Sequence, residues 1–290
     1  MTDGPHRTYL FAPGNHPRKV EKVFAAGADA AILDLEDAVA AAEKIGARAA
    51  VVAALKRPRE CRGFVRVNAF DSEFHAGDLE AVVGPWLDGV MLPKVESPAQ
   101  LASVDQRLGA LERRHGMAGG AVDLLPIVET AKGLAAVAAI AGAGTRVRRL
   151  SFGAVDLAKD LAMLLTADEW ELTPARAAVA LASRAADLDA PVDSVWVHFR
   201  DQAGLVKSAE RARTLGFQGK MCIHPDQVAA VNRAFTPSDE EVAKAEKIVA
   251  AFEKAEAAGS ASIVVDGFFV DYPVVDHARR TLALIKTIRG

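Results

Sequence analysis

The chain has 290 residues, half of them hydrophobic but only 6% aromatic, with a formal net charge of −3 and a pI near 6.2. This is the composition of a globular α/β protein with Ala-rich helices on a Val/Ile/Leu sheet, and it excludes a disordered chain. The charge shows no basic bias, which excludes an extended nucleic-acid footprint, and no run approaches the length of strongly apolar residues that a membrane span needs.

In chain order, YLFAPG predicts a strand over 8–12 that breaks at Gly14-Asn15, followed by a helix over 16–27 with Pro17 in its first turn. AILDL predicts a strand over 30–35 with Glu36 and Asp37 at its exit, then a helix over 41–56. FVRV (63–68) exits at Asn68, VMLP (89–93) at Lys94 and Glu96, LLPIV (122–128) at Glu129, and LSFGAV (148–153) at Asp156. VWVHF (194–199) exits at Arg200-Asp201, and MCI (219–223) at His224. The runs are nearly continuous in apolar residues, as expected of parallel strands buried on both faces. Eight strand-then-helix units with polar exits predict a (β/α)8 barrel, a TIM barrel, whose active site lies at the C-terminal strand ends. A doubly wound sheet would want a Gly-rich turn after its first strand. The Gly pairs here, Gly119-Gly120 and Gly142 to Gly144, follow helices instead.

A closing barrel helix is expected over 226–235, leaving residues 236–290 as a C-terminal arm. Ser238 with Glu241 predicts a capping box and a helix to about Ala258. SIVVDGFFVDYP then predicts a hairpin turning at Asp266-Gly267, and a last helix spans 274–288. An apolar hairpin outside a complete barrel needs a cover, so the arm is expected to pack on a neighbouring subunit. Cys61 and Cys222 have no metal-like spacing and read as free thiols of a reducing compartment. The polar start MTDGPHRT lacks a signal-peptide core, so a cytoplasmic location is expected.

Glu129 and Asp156 leave consecutive strands, so their carboxylates converge at the mouth. With no His or Cys beside them they suit a hard cation, Mg²⁺ or Mn²⁺, unless each is occupied by a local base such as Lys132 or Lys159. Glu36 and Asp37 extend the carboxylate cluster as holders of metal-bound water, or one of them caps the next helix. Arg66 shares the alternation of Phe64 and Asn68 and so points inward. A substrate carboxylate or a salt bridge on the barrel floor would pair it. Lys94 has the position of a Schiff-base lysine, but Glu96 two residues on favours an ion pair. His224 is placed as a general base or as an ordinary His-Pro turn, and Asp201 and Asp226 read as turn and cap residues.

LFAPGN, LDLEDAV, VRVN, LPKVES, PIVETAKGL, SFGAVDL and IHPDQV occur in this order. Together they resemble the citrate lyase β-subunit-like proteins, including malyl-CoA and citramalyl-CoA lyases, of the HpcH/HpaI aldolase superfamily, over residues 7 to 289. The resemblance implies a barrel that forms homotrimers or hexamers and uses Mg²⁺ to cleave or condense 3-hydroxyacyl thioesters, with coenzyme A as part of the substrate. It implies metal ligation by Glu129 and Asp156, and keto-acid and oxyanion contact by Arg66. It also implies acid/base chemistry by Asp271, supplied from a neighbour's arm. Phe11 and Lys22 match the coenzyme A contacts of relatives, whereas an Arg position of the pattern holds His16, with Arg18 nearby. Asp37 stands where aldolases of free pyruvate-type substrates have His, which favours the thioester branch. A malyl-CoA thioesterase and a citrate lyase subunit working on an acyl-carrier protein are the alternative activities.

Overall fold

The structure, a computed structural model, describes residues 6–289, so the polar residues 1–5 that open the chain lie outside the description, as does Gly290. Two compact units divide these residues, His6–Asn232 and the segment from Arg233 to 289.

The first unit is a closed barrel of eight parallel strands in chain order. They are β1 (Thr8–Pro13), β2 (Ala30–Asp34), β3 (Arg62–Arg66), β4 (Gly89–Leu92), β5 (Asp123–Val128), β6 (Ser151–Phe152), β7 (Val192–Asp193) and β8 (Gly219–Cys222). Pairing of β1 with β8 closes the ring. Side chains in a strand alternate faces, and the inward set is one hydrophobic core formed by Tyr9, Ala30, Ile32, Phe64, Met91, Leu125, Ile127, Val192 and Met221. Two residues further along each strand the same face reaches the mouth. That step carries Tyr9 to Phe11, Ile32 to Asp34, Phe64 to Arg66, Ile127 to Glu129 and Val192 to Ser194, so the apolar floor fixes which polar side chains face the cavity.

Most expected strands lie within a residue or two of their observed places. The seventh does not. Residues 194–199 form the loop after β7, and the strand itself is the short Val192–Asp193. Asp193 is fully buried on the opposite face, where Arg176 Nε at 2.8 Å and Lys220 Nζ at 2.5 Å neutralise it. A charged residue inside a strand hides the strand from a hydrophobic reading, whereas VWVHF imitates one. The sixth strand also shortens, to Ser151–Phe152, which moves Asp156 off the strand end and into the first turn of the helix Ala154–Asp160.

The expected helix over 41–56 resolves into a 3₁₀ turn, Ala41–Glu43, and the helix Lys44–Leu55. Asp201 caps the helix Gln202–Thr214 by accepting from the Gly204 amide at 2.9 Å. Both cysteines are free, and burial pushes the Cys222 thiol up to about 12. No helix among the described residues is long and apolar enough to cross a membrane.

In the second unit, Ser238 and Glu241 form the capping box that opens the helix Asp239–Ala257. The strands β9 (Ile263–Val265) and β10 (Phe268–Val270) pair antiparallel. Asp266 (φ 50°) and Gly267 (φ 79°) both take the left-handed backbone that a type I′ turn requires. The last helix begins at Tyr272, two residues before its expected start, and runs to Arg289. Phe252, Val265, Val270 and Val275 belong to this unit's own core, while Val264, Phe268 and Phe269 are exposed on the hairpin.

Candidate active site

The mouth of the barrel holds a cavity of about 390 Å³. Phe11, Ile127, Val155, Val195, Val197, Met221 and Ile223 form its apolar wall, and Asp34, Asp37, Arg66, Glu129 and Asp156 its polar face.

Arg66 is held in place from two sides. Strand register sets Asp34 of β2 directly beside it, and the two side chains make a bidentate pair, Nε to Oδ1 at 2.7 Å and Nη2 to Oδ2 at 2.6 Å. Nη1 lies 3.0 Å from Glu36 Oε2, and the guanidinium stands over the Phe11 ring, 5.0 Å from its centroid. Burial alone would lower the pKa of Arg66, but Asp34 and Glu36 outweigh it and hold it above the ordinary guanidinium range. The partner of Arg66 within the fold is therefore a protein acid, Asp34, rather than only a substrate carboxylate. Asp34 is 1% exposed and also accepts from the Glu36 and Ala38 amides at 2.9 and 3.1 Å. It is the functional residue that the sequence reading missed. The available signal was an acid at the end of an apolar strand, one strand away from an inward arginine.

Glu36 is buried between Arg66 and Lys94, both of which pair with it. Burial raises its pKa, against the lowering pull of these two cations. Asp37 is 57% exposed and lies 3.2 Å from Lys94 Nζ. Neither side chain caps the helix that follows, since Ala40 and Glu43 take those positions. Their carboxylates thus pair with Arg66 and Lys94, and their expected role as holders of metal-bound water stays a proposal beside these contacts. Lys94 forms an ion pair as expected, but with the acids of β2. Glu96 pairs instead with Lys132 at 2.9 Å, which leaves Glu129 free of the local lysine that was its alternative partner.

Glu129 is 3% exposed. Its Oε1 accepts the Lys94 amide at 2.9 Å, and Gly153 makes room for it, since a Cβ there would stand 2.5 Å from Oε2. Burial, then the charge of Glu36, and further on that of Asp156, push its pKa up to about 8 against the pull of Arg66. Asp156 faces the same cavity from the first turn of its helix, where the helix dipole favours a carboxylate. Among the described residues no group of three or more His, Cys, Asp or Glu is placed to hold a metal ion. Of the carboxylates that line the mouth, Asp34 and Asp37 pair with Arg66 and Lys94, which leaves Glu129 and Asp156. That donor set fits a hard cation that keeps water and takes oxygen atoms from its substrate.

The other expected residues lie elsewhere. Phe11 lines the cavity against Arg66, while Arg18 and Lys22 are exposed on the helix Pro17–Val23 and do not line it. His224 stacks on Phe199 with ring centroids 5.3 Å apart, and its Nδ1 accepts the Asp226 amide at 3.2 Å, a turn arrangement. Asp271, in the second unit, accepts at its backbone oxygen from the Val275 amide at 3.0 Å, at the start of the last helix.

The raised pKa of Glu129 has a sign that stability measurements can read. A carboxyl that titrates near 4.5 unfolded and about 8 folded adds stability below the lower value and loses it as pH climbs to the upper one. Metal-free protein should therefore lose stability between these limits and level off above pH 8. Glu129→Gln should flatten that slope and unfold at higher urea than the parent at pH 8.5; equal slopes in the two proteins would contradict the assignment.

Comparison with known proteins places this geometry. The model of the HpcH/HpaI aldolase/citrate lyase family matches residues 7–225. A citrate lyase subunit β from Leuconostoc mesenteroides subsp. cremoris is 34% identical, over 96% of this chain and 92% of its own length. A (3S)-malyl-CoA thioesterase from Cereibacter sphaeroides is 38% identical, over 98% and 96% respectively. The crystal structure of the protein CitE from Mycobacterium tuberculosis in complex with magnesium, acetoacetate and coenzyme A superposes with a TM-score of 0.80 at 34% identity, covering 98% of this chain and 99% of that one. With the barrel and the acidic mouth in hand, this protein belongs to the HpcH/HpaI aldolase/citrate lyase family.

Proposed function

We propose that this protein is a magnesium-dependent carbon–carbon lyase that splits a 3-hydroxyacyl-CoA, of the malyl-CoA or citramalyl-CoA kind, into a 2-oxo acid and an acyl-CoA. The observation that carries this reading is the opposition, across one cavity, of two carboxylates that need a cation and one guanidinium held rigidly by Asp34. The relative solved with magnesium, acetoacetate and coenzyme A supports it, because those ligands are the classes of molecule such a mouth would accept.

Glu129 and Asp156 would hold the cation. When bound, magnesium supplies Lewis acidity and a template for the oxygens of the substrate's oxo-acid end. Arg66, fixed by Asp34 and Phe11, donates hydrogen bonds to the oxygen on which negative charge grows as the carbon–carbon bond breaks. The apolar wall excludes water, which strengthens these contacts. As the 3-hydroxyl gives up its proton to solvent and its C–O becomes the carbonyl of the 2-oxo acid, the electrons of the broken carbon–carbon bond pass to the thioester as an enolate, whose carbon then needs a proton. Asp271 is the donor we assign, brought to this cavity by the arm of a neighbouring subunit in a trimer or hexamer. In condensation the same carboxylate takes that proton back. Arg18 and Lys22 are exposed cations available to coenzyme A phosphates.

A second reading rests on the 38%-identical thioesterase: the same mouth followed by hydrolysis of the thioester. Following free thiol and 2-oxo acid separately distinguishes them. The lyase account expects glyoxylate or pyruvate from malyl-CoA or citramalyl-CoA without release of thiol, and loss of that product in EDTA. Thiol without 2-oxo acid would establish the hydrolase, and no turnover of any coenzyme A substrate would favour an acyl-carrier protein partner. Subunit sharing has its own test. Asp271→Asn and Arg66→Lys should each lose about a hundredfold in kcat, and mixing them should restore part of the activity. Absence of rescue despite demonstrated subunit exchange would contradict the shared site.

A further inference from the structure

Lys94 leaves β4 with φ 52°, a left-handed conformation that a side chain rarely adopts. Such an outlier persists only where its surroundings demand it. Here the turn aims the Lys94 amide at Glu129 Oε1, 2.9 Å away on β5. Its side chain runs the other way, past β3, to the acids at the exit of β2, where Nζ pairs with Glu36 Oε1 and lies 3.2 Å from Asp37. Arg66 takes the other oxygen of Glu36 at 3.0 Å. Glu36 therefore has a cation beside each oxygen, hydrogen-bonded to Lys94 and ion-paired without a hydrogen bond to Arg66.

Resting on the metal reading above, we propose that Lys94 is a positioning residue with two separable parts. Its backbone amide orients the metal ligand Glu129, and its ammonium keeps Glu36 on Arg66 and out of the metal's coordination. The amide part depends on the left-handed backbone, which Gly adopts freely and a β-branched residue resists. The ammonium part depends on the side chain alone. Two substitutions therefore separate them, with Mn²⁺ as the probe, followed by electron paramagnetic resonance on the whole substrate-free protein.

Lys94→Gly keeps the turn and removes the ammonium. It should bind Mn²⁺ as tightly as the parent or tighter, since Glu36 is released toward the site, while kcat falls about tenfold or more as Arg66, still paired with Asp34, loses Glu36 as its second acid. Lys94→Val loses the turn as well, and its Mn²⁺ affinity should drop by about tenfold. A lysine that merely supported the fold would lower Mn²⁺ affinity, turnover and melting temperature together in both variants, which would overturn the proposal. Unchanged kcat in folded Lys94→Gly would overturn the ammonium part, and that variant suffices if Lys94→Val does not fold. Unchanged Mn²⁺ affinity in folded Lys94→Val would overturn the amide part. Failure of the metal reading itself is distinct, because the unsubstituted protein would then bind no Mn²⁺.

Discussion

The clamp on Arg66 is the constraint on which the mouth depends. A guanidinium at the top of a barrel core cannot remain unpaired, and here the bidentate Asp34 pair, the Glu36 contact and the Phe11 ring fix its place and direction. Because Arg66 consumes Asp34 and shares Glu36 with Lys94, the carboxylates of the mouth divide into two groups. Those of β2 are neutralised by protein cations. Glu129 stays buried without such a partner, and its pKa rises to about 8. On the function proposed here, that unequal division would give the cavity one pole for a cation and another for an anion.

The division follows from strand geometry. Alternation carries the inward face of the apolar core up to Asp34, Arg66 and Glu129, and parallel register sets Asp34 beside Arg66. Glu129 then obtains its orientation from outside its own strand, through the Lys94 amide and the space left by Gly153. Arg66 and Glu129 are thus each held by a neighbour from another strand or strand exit of the barrel.

Much of this is legible in the sequence, and the illegible parts share a cause. Eight apolar runs with polar exits are visible because buried parallel strands must be apolar, and Glu129, Asp156 and Arg66 stand out because charged residues at such positions need a reason. Asp34 escapes notice because its role exists only relative to Arg66, 32 residues away. The left-handed backbone of Lys94 and its reach to Glu36 are likewise facts of tertiary contact. β7 is misread for a related reason: Asp193 is tolerable inside a strand only because Arg176 and Lys220 meet it there. Local sequence shows what must be buried. It does not show which distant charge will meet it.

The central proposal is that Glu129 and Asp156 hold the cation at this mouth while Glu36 stays with Arg66 and Lys94. Anomalous diffraction from crystals soaked in Mn²⁺ tests it directly. The account predicts one strong peak within bonding distance of the Glu129 and Asp156 carboxylates, with Glu36 still paired to Arg66 and Lys94. A peak bound by Glu36 or Asp37, or no peak at Glu129 and Asp156 at saturating Mn²⁺, would contradict it.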